Sequence, residues 1–239
     1  MGIIWEDNFD QGIIDPSKWA FDIGTGPPEG WGNAELQFYT NRPENARVEN
    51  GILIIEARKE NFEGRAFTSA RLKTKGLFEF TYGTVEARIK LPFQQKGLWP
   101  AFWTLGSDID QNQWPKCGEI DILEAGSDAA IKEGVVNRRL GAAIHWDPNG
   151  HFNKDHNTDW DLNENFRTYK LHWTETTITA SIDDVEYFKA DVPSDAFRKP
   201  HFLLLNLAVG GNYTGIHDPN QINPPSAQMQ IEYIKVYQN

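Results

Sequence analysis

Apolar and polar positions alternate with a period of two in several stretches of the chain. In Thr84–Leu91, Val85, Ala87, Ile89 and Leu91 share one face while Glu86, Arg88 and Lys90 share the other. That is the pattern of a half-buried strand. Gly51–Arg58, Arg167–Trp173, Thr177–Ile182 and Gln228–Tyr237 predict further strands. His201–Val209 (HFLLLNLAV) is almost continuously apolar, which suits a strand covered on both faces. Turn residues separate these runs: Asn50-Gly51, Lys75-Gly76, Pro148-Asn149-Gly150, Asp183-Asp184 and Gly210-Gly211. No segment longer than a turn or two carries a helical period, and Ser194–Arg198 is the best helical candidate. Many short strands joined by polar turns predict an all-β sandwich or barrel. No repeat or linker-like run divides the chain, so one domain over residues 1–239 is expected.

Composition narrows the function classes. With 39% hydrophobic and 24% charged residues the chain can bury a substantial core. Lys and Arg number 23 against 34 Asp and Glu, a net charge of −11. Such an acidic surface disfavours nucleic acid and anionic membranes, so neither is expected as a partner. Neutral substrates remain. The single Cys117 cannot form an intramolecular disulfide. No apolar run is long enough to span a bilayer, and Met1–Asp7 lacks the basic and apolar regions of a secretory signal. The aromatic count, with 9 Trp, 14 Phe and 7 Tyr, fits either a β-sheet core or platforms that stack on sugar rings.

The most informative segment is Gly118-Glu119-Ile120-Asp121-Ile122-Leu123-Glu124-Ala125. Its β-branched content favours a strand with Ile120 and Ile122 on one side and Glu119 and Asp121 on the other. Glu124 stands at an odd offset from Glu119, so a regular strand would turn it away. A β-bulge at Ile122-Leu123 would absorb one residue and return Glu124 to the acidic face. On a straight strand the two Glu Cα atoms would lie roughly 13 Å apart, so the side chains would have to lean together to reach the ~5–5.5 Å of a retaining glycosidase. Asp121 between them would raise the proton affinity of at least one Glu. A solvated outer face and a hard-cation site are the competing readings of the same three acids. Trp99, Trp103 and Trp114 just upstream and Trp146 downstream favour a cleft over an outer wall.

With these residues in place the sequence resembles family 16 glycoside hydrolases, and among them the bacterial laminarinase-like endo-β-1,3-glucanases. Glu119-Ile-Asp121-Ile-Leu-Glu124 is similar to that family's bulged E-x-D-x-x-E segment; the shorter E-x-D-x-E form belongs to mixed-linkage lichenases. Trp31–Gln37, Tyr39–Asn45, Thr68–Arg71, Tyr82–Arg88, Gly97–Trp103 and Leu205–Asn212 extend the resemblance over nearly the whole chain. The resemblance implies a concanavalin-like jelly-roll β-sandwich whose concave sheet forms a sugar-binding groove. It implies Glu119 as nucleophile, Glu124 as general acid/base and Asp121 as the residue that tunes the pair. Asn33 and Arg71 match polar residues binding sugar on the non-reducing side of the scissile bond. Trp99 and Trp114 match stacking platforms near that bond, Trp103 either a platform or core, and His145 a cleft histidine on the next strand. Glu86 and Arg88 fit a structural ion pair or a cleft edge, the structural reading being preferred.

The implied activity is retaining hydrolysis of a neutral β-1,3-glucan such as laminarin by a monomer, extracellular or periplasmic, with no organic cofactor. A mixed-linkage glucanase, a marine galactanase and a non-catalytic glucan-binding module are the alternatives. The resemblance also implies a structural Ca²⁺, distant from the cleft, held by backbone carbonyls near Asp7 and Gly51 and by an acid on the last strand. Glu232 stands where that acid is usually Asp, and Tyr213 where many laminarinases have Trp. Gly134–Leu140 also departs from the usual short connection.

Overall fold

A computed structural model describes residues 1–94 and 96–239. In chain order the strands are β1 (Gly2–Asp7), β2 (Ala20–Asp22), β3 (Gln37–Tyr39), β4 (Ala46–Glu49), β5 (Ile52–Phe62) and β6 (Arg65–Ser69). They continue with β7 (Arg71–Lys73), β8 (Gly83–Lys90), β9 (Leu98–Gly106), β10 (Glu119–Ala125), β11 (Arg139–Asp147) and β12 (Gly150–Asn157). The last are β13 (Arg167–Trp173), β14 (Thr177–Ile182), β15 (Val185–Asp191), β16 (His201–Val209) and β17 (Ser226–Gln238). One sheet runs β15-β14-β13-β8-β17-β5-β6-β3, with β1 added to β17 and β4 to β5. The other runs β12-β11-β10-β9-β16-β7-β2. Packed face to face, the two sheets make the expected all-β jelly-roll sandwich.

Alternating burial explains why these segments pair as they do. Along β14, Ile178, Ala180 and Ile182 are buried while Thr177, Thr179 and Ser181 are partly exposed. β8 buries Val85, Ala87 and Ile89 in the same way. Those side chains meet Ile120, Ile122, Leu140, Ile144, Leu203, Leu205 and Leu207 from the second sheet in one continuous core. The apolar run of β16 is buried throughout, as its composition predicts. Leu203, Leu205 and Leu207 join the main core, whereas Phe202 and Leu204 pack with Leu105 and Cys117 in a smaller cluster.

Four features differ from the sequence reading. β12 (GHFNKDHN) is largely exposed and polar on both faces, so it lacks the apolar alternation by which strands are recognised. Asp128–Lys132 forms a short α-helix, α1, capped by the Ser127 hydroxyl accepting from Ala130 N–H. The segment around Ser194 closes only a single 3₁₀ turn, Asp195–Phe197. Glu86 and Arg88 are structural but do not pair with each other. Glu86 accepts from the Tyr233 hydroxyl (2.7 Å) and meets Lys170 (3.4 Å), while Arg88 reaches Glu232.

Candidate active site

β10 lies near the middle of the seven-stranded sheet, between β9 and β11. Its first three residues are in regular register with both neighbours: Glu119 opposite His145 and Leu105, Asp121 opposite Ala143 and Trp103. The register then shifts on both sides, and pairing resumes at Leu123 opposite Phe102 on β9 and at Glu124 opposite Gly141 on β11. Ile122 pairs with neither neighbour, which is the β-bulge the odd spacing of the acids requires. Its side chain is fully buried in the core, and its carbonyl accepts a hydrogen bond from the buried Tyr187 hydroxyl of β15, in the opposite sheet. The bulge thus returns Glu124 to the face that carries Glu119 and Asp121.

Around the first two acids the donors are specific. Trp114 Nε1 donates to Glu119 Oε2, although the indole itself is 55% exposed. His145 Nε2 stands 3.2 Å from Asp121 Oδ2, with its ring between those of Trp114 and His151. Asp121 is only 3% exposed. Burial pushes the Glu119 carboxyl well above its usual range and the Asp121 charge adds to it, while His145 and the Trp114 donor oppose the shift. Asp121 is raised by burial and by Glu124. Glu119 and Asp121 also hydrogen-bond to each other, an arrangement that requires one shared proton. Ligand atoms of Glu119, Asp121 and His145 lie within 4.8 Å of one another, so a cation could reach the same atoms only in competition with that proton.

Glu124 has a different environment. Trp99 Nε1 donates to its Oε1 at 3.2 Å, and the residue facing it on β11 is Gly141. Beyond that glycine stands Asp155 of β12, whose Oδ1 would lie 2.8 Å from a Cβ placed on Gly141. Burial raises the Glu124 carboxyl to about 8, with Glu119 the next contributor and Asp155 a smaller one. Glu124 therefore keeps its proton at neutral pH.

The chain matches the model of glycosyl hydrolases family 16 over residues 33–235. It belongs to that family. A β-glucanase of Rhodothermus marinus is 38% identical, over 98% of this chain and 84% of that protein. The clotting factor G alpha subunit of Tachypleus tridentatus is 35% identical over 99% of this chain, which spans only 34% of that subunit's length. Among solved structures, the laminarinase catalytic domain from Thermotoga maritima superposes with a TM-score of 0.88 at 37% identity, covering 100% of this chain and 98% of that one.

Within this family 16 chain the residues expected on the non-reducing side form a connected patch at β7, β9 and β16. The Arg71 guanidinium sits over both the Trp31 and Trp103 rings (4.8 and 4.7 Å) and pairs with Asp22 at 2.8 Å. Trp103 is half-buried and donates to Asn206 Oδ1 at 2.7 Å, so it joins a polar network and not the main core. Asn206 donates in turn to the Tyr39 hydroxyl (3.0 Å), which points to the buried Glu35 (3.4 Å). Asn33 Nδ2 donates to Glu35 Oε2 at 3.1 Å and to the Trp31 carbonyl at 3.2 Å. Burial raises the Glu35 carboxyl above its usual range against the pull of these donors and of Arg71.

Two expectations change in detail. Trp99 offers at most one free face, because Tyr213 stacks on the other with ring centroids 4.6 Å apart. Its indole N–H also holds Glu124. Around the expected calcium site, Asp7 pairs with Ile234 and Leu53, just after Gly51, pairs with Ile231, so both segments neighbour the last strand. Glu232, however, stands at a register irregularity between Ile231 and Tyr233 and turns its carboxylate to Arg88. This arrangement of side chains does not fit a Ca²⁺ ion, whose binding would need carboxylate oxygens free of a guanidinium.

Tyr187, Asp155, Asn206, Tyr39 and Glu35 carry parts of the site without having been singled out. Glu35, Tyr39 and Asn206 lie inside the resembling segments, which was the available signal. Asp155 had only the period-two row His151, Asn153, Asp155 along a polar strand.

Proposed function

We propose that the protein is a retaining endo-β-1,3-glucanase acting on neutral glucans of the laminarin type. The observation that carries this reading is the bulge in β10, which sets three acids on one face with a distinct donor on each Glu. In the first step protonated Glu124 delivers its proton to the glycosidic oxygen as a Glu119 oxygen attacks the anomeric carbon. The C–O bond breaks, its electron pair stays on the departing oxygen, and a glycosyl ester of Glu119 forms. In the second step the Glu124 carboxylate takes a proton from water, and the water oxygen displaces Glu119. Both acids return to their starting states. With the shared proton on Asp121, Glu119 is the carboxylate that attacks, and Trp114 and His145 oppose the burial that would protonate it.

The similarity to a β-glucanase and to a laminarinase catalytic domain supports a glucan substrate. The stacked Arg71 between two indoles supports neutral sugar faces, as does the net charge of −11. A polymeric substrate also argues for an extracellular or periplasmic site of action and for a monomer with an unobstructed face. No helix among the described residues is long and apolar enough to cross a membrane. Reducing-end release from laminarin, with lichenan and agarose alongside, tests the reading. Strong release from laminarin is expected, whereas release from agarose alone, or from none of the three by folded protein, would overturn the substrate.

We further infer that Arg88, not Ca²⁺, neutralises Glu232. The melting temperature in excess EDTA and in millimolar CaCl₂ is expected to agree within about 1 °C. A calcium-dependent rise of several degrees would restore the expected site.

A further inference from the structure

The reaction needs Glu119 and Glu124 in one geometry, yet they sit on opposite sides of a break in the sheet register. Glu119 and Asp121 are fixed by regular pairing with β9 and β11 before the bulge. Glu124 comes after it, and its position depends on how one extra residue is accommodated. At that residue, Ile122, the strand has no ladder partner on either side. The buried Ile122 carbonyl there accepts from across the core, from the Tyr187 hydroxyl. Tyr187 is 2% exposed, and its ring packs beside His156 of β12 at 6.0 Å. Tyr169, a second buried tyrosine of the same sheet, has a hydroxyl with no hydrogen-bond partner among the described residues.

We propose that Tyr187 is the positioning residue for the acid/base: by holding the Ile122 carbonyl it fixes the bulge and thereby the placement of Glu124, without touching the nucleophile's register. The inference rests on the reading of Glu124 as the proton donor. It has a selective consequence, because a displaced acid slows only the departure of leaving groups that need a proton. A misplacement of about 1 Å can cost on the order of 10²-fold in rate.

The test compares Y187F with wild type and with Y169F on two substrates. For a laminari-oligosaccharide, whose leaving group is a sugar hydroxyl, kcat/KM is expected to fall about 10- to 100-fold in Y187F. For a 2,4-dinitrophenyl β-laminaribioside, whose leaving group departs unprotonated, kcat/KM should stay within about threefold of wild type. Y169F should match wild type on both. Equal losses on the two substrates would show a merely structural role and overturn the proposal, as would no loss on either. Amide hydrogen exchange at Leu123 and Glu124 gives a readout without substrate, faster in Y187F and unchanged in Y169F. If the wild-type enzyme cleaved no glucan at all, the functional reading would fall, while this exchange would still decide whether Tyr187 holds the bulge. Should Y187F not fold, 4-aminophenylalanine and 4-methylphenylalanine at position 187 make the same comparison, one keeping a donor and the other not. Identical ratios between the two substrates in that pair would overturn the proposal.

Discussion

Glu119→Gln is expected to lower kcat on laminarin by at least about 10⁴-fold, with KM within a few-fold of wild type and the fold intact. The amide keeps the local contacts: its oxygen still accepts from Trp114 Nε1, and its NH₂ replaces the proton shared with Asp121. What disappears is the group that forms the glycosyl ester, and no other carboxylate lies on that side of the bulge except Asp121, which is buried and tied to His145. Four powers of ten correspond to about 5–6 kcal/mol of lost transition-state stabilisation, more than repositioning of a neighbour could hide. Near-normal turnover in this variant would remove Glu119 from the nucleophile's role. The contrasting variant, Glu124→Ala, should regain activity with azide on an activated donor and release the β-glycosyl azide. An α-azide would exchange the two roles.

The elements that decide the site differ in how plainly the sequence carries them. The bulge was legible because the offset between Glu119 and Glu124 is odd, and a strand admits only one way to place both on a face. The strands β13, β14 and β16 have the bounds their patterns predict, since their apolar faces meet a single core. β12 was hidden because its pairing rests on backbone hydrogen bonds to β11 and not on buried apolar side chains. With β12 unread, Asp155 could not be placed opposite Gly141.

Other details depend on contacts made across long stretches of chain. Tyr187 meets Ile122 from the opposite sheet, and no local pattern connects a tyrosine on one strand with a carbonyl on another. The Tyr213 stack on Trp99 comes from the loop after β16 and converts an apparent two-faced platform into a holder for Glu124. Glu86 and Arg88 share a face by periodicity, but cross-strand neighbours Tyr233, Lys170 and Glu232 compete for them. Residue type and spacing thus specified the reacting groups, while the donors that tune them had to come from the assembled sheets.

The same tuning predicts that the enzyme trades stability for reactivity near neutral pH. Glu124 holds its proton up to about pH 8 in the folded state, against an ordinary value of 4.5, because burial and the nearby Glu119 disfavour its charge. A carboxyl with a raised folded-state pKa binds its proton more tightly in the native than in the unfolded chain. Its contribution is fully present below the unfolded value and is lost as pH rises through the folded one. Glu119, Asp121 and Glu35 are shifted in the same direction, each chiefly by burial, so they reinforce the trend. The melting temperature should therefore fall as pH rises from 5 toward 8, with the loss spread between the unfolded and folded values and levelling off above the Glu124 value. Glu124→Gln removes the charge that must otherwise be buried and keeps an acceptor for Trp99 Nε1. At pH 8 it should stabilise the fold by about 1–3 kcal/mol, or roughly 3–10 °C in melting temperature, while turnover on laminarin is lost. At pH 4.5, where the wild-type acid is already protonated, the two proteins should melt within about 2 °C of each other. Scanning calorimetry of both at the two pH values decides it. A wild-type melting temperature flat from pH 5 to 8, or a variant less stable than wild type at pH 8, would mean that the acid cluster is not held against its own charge.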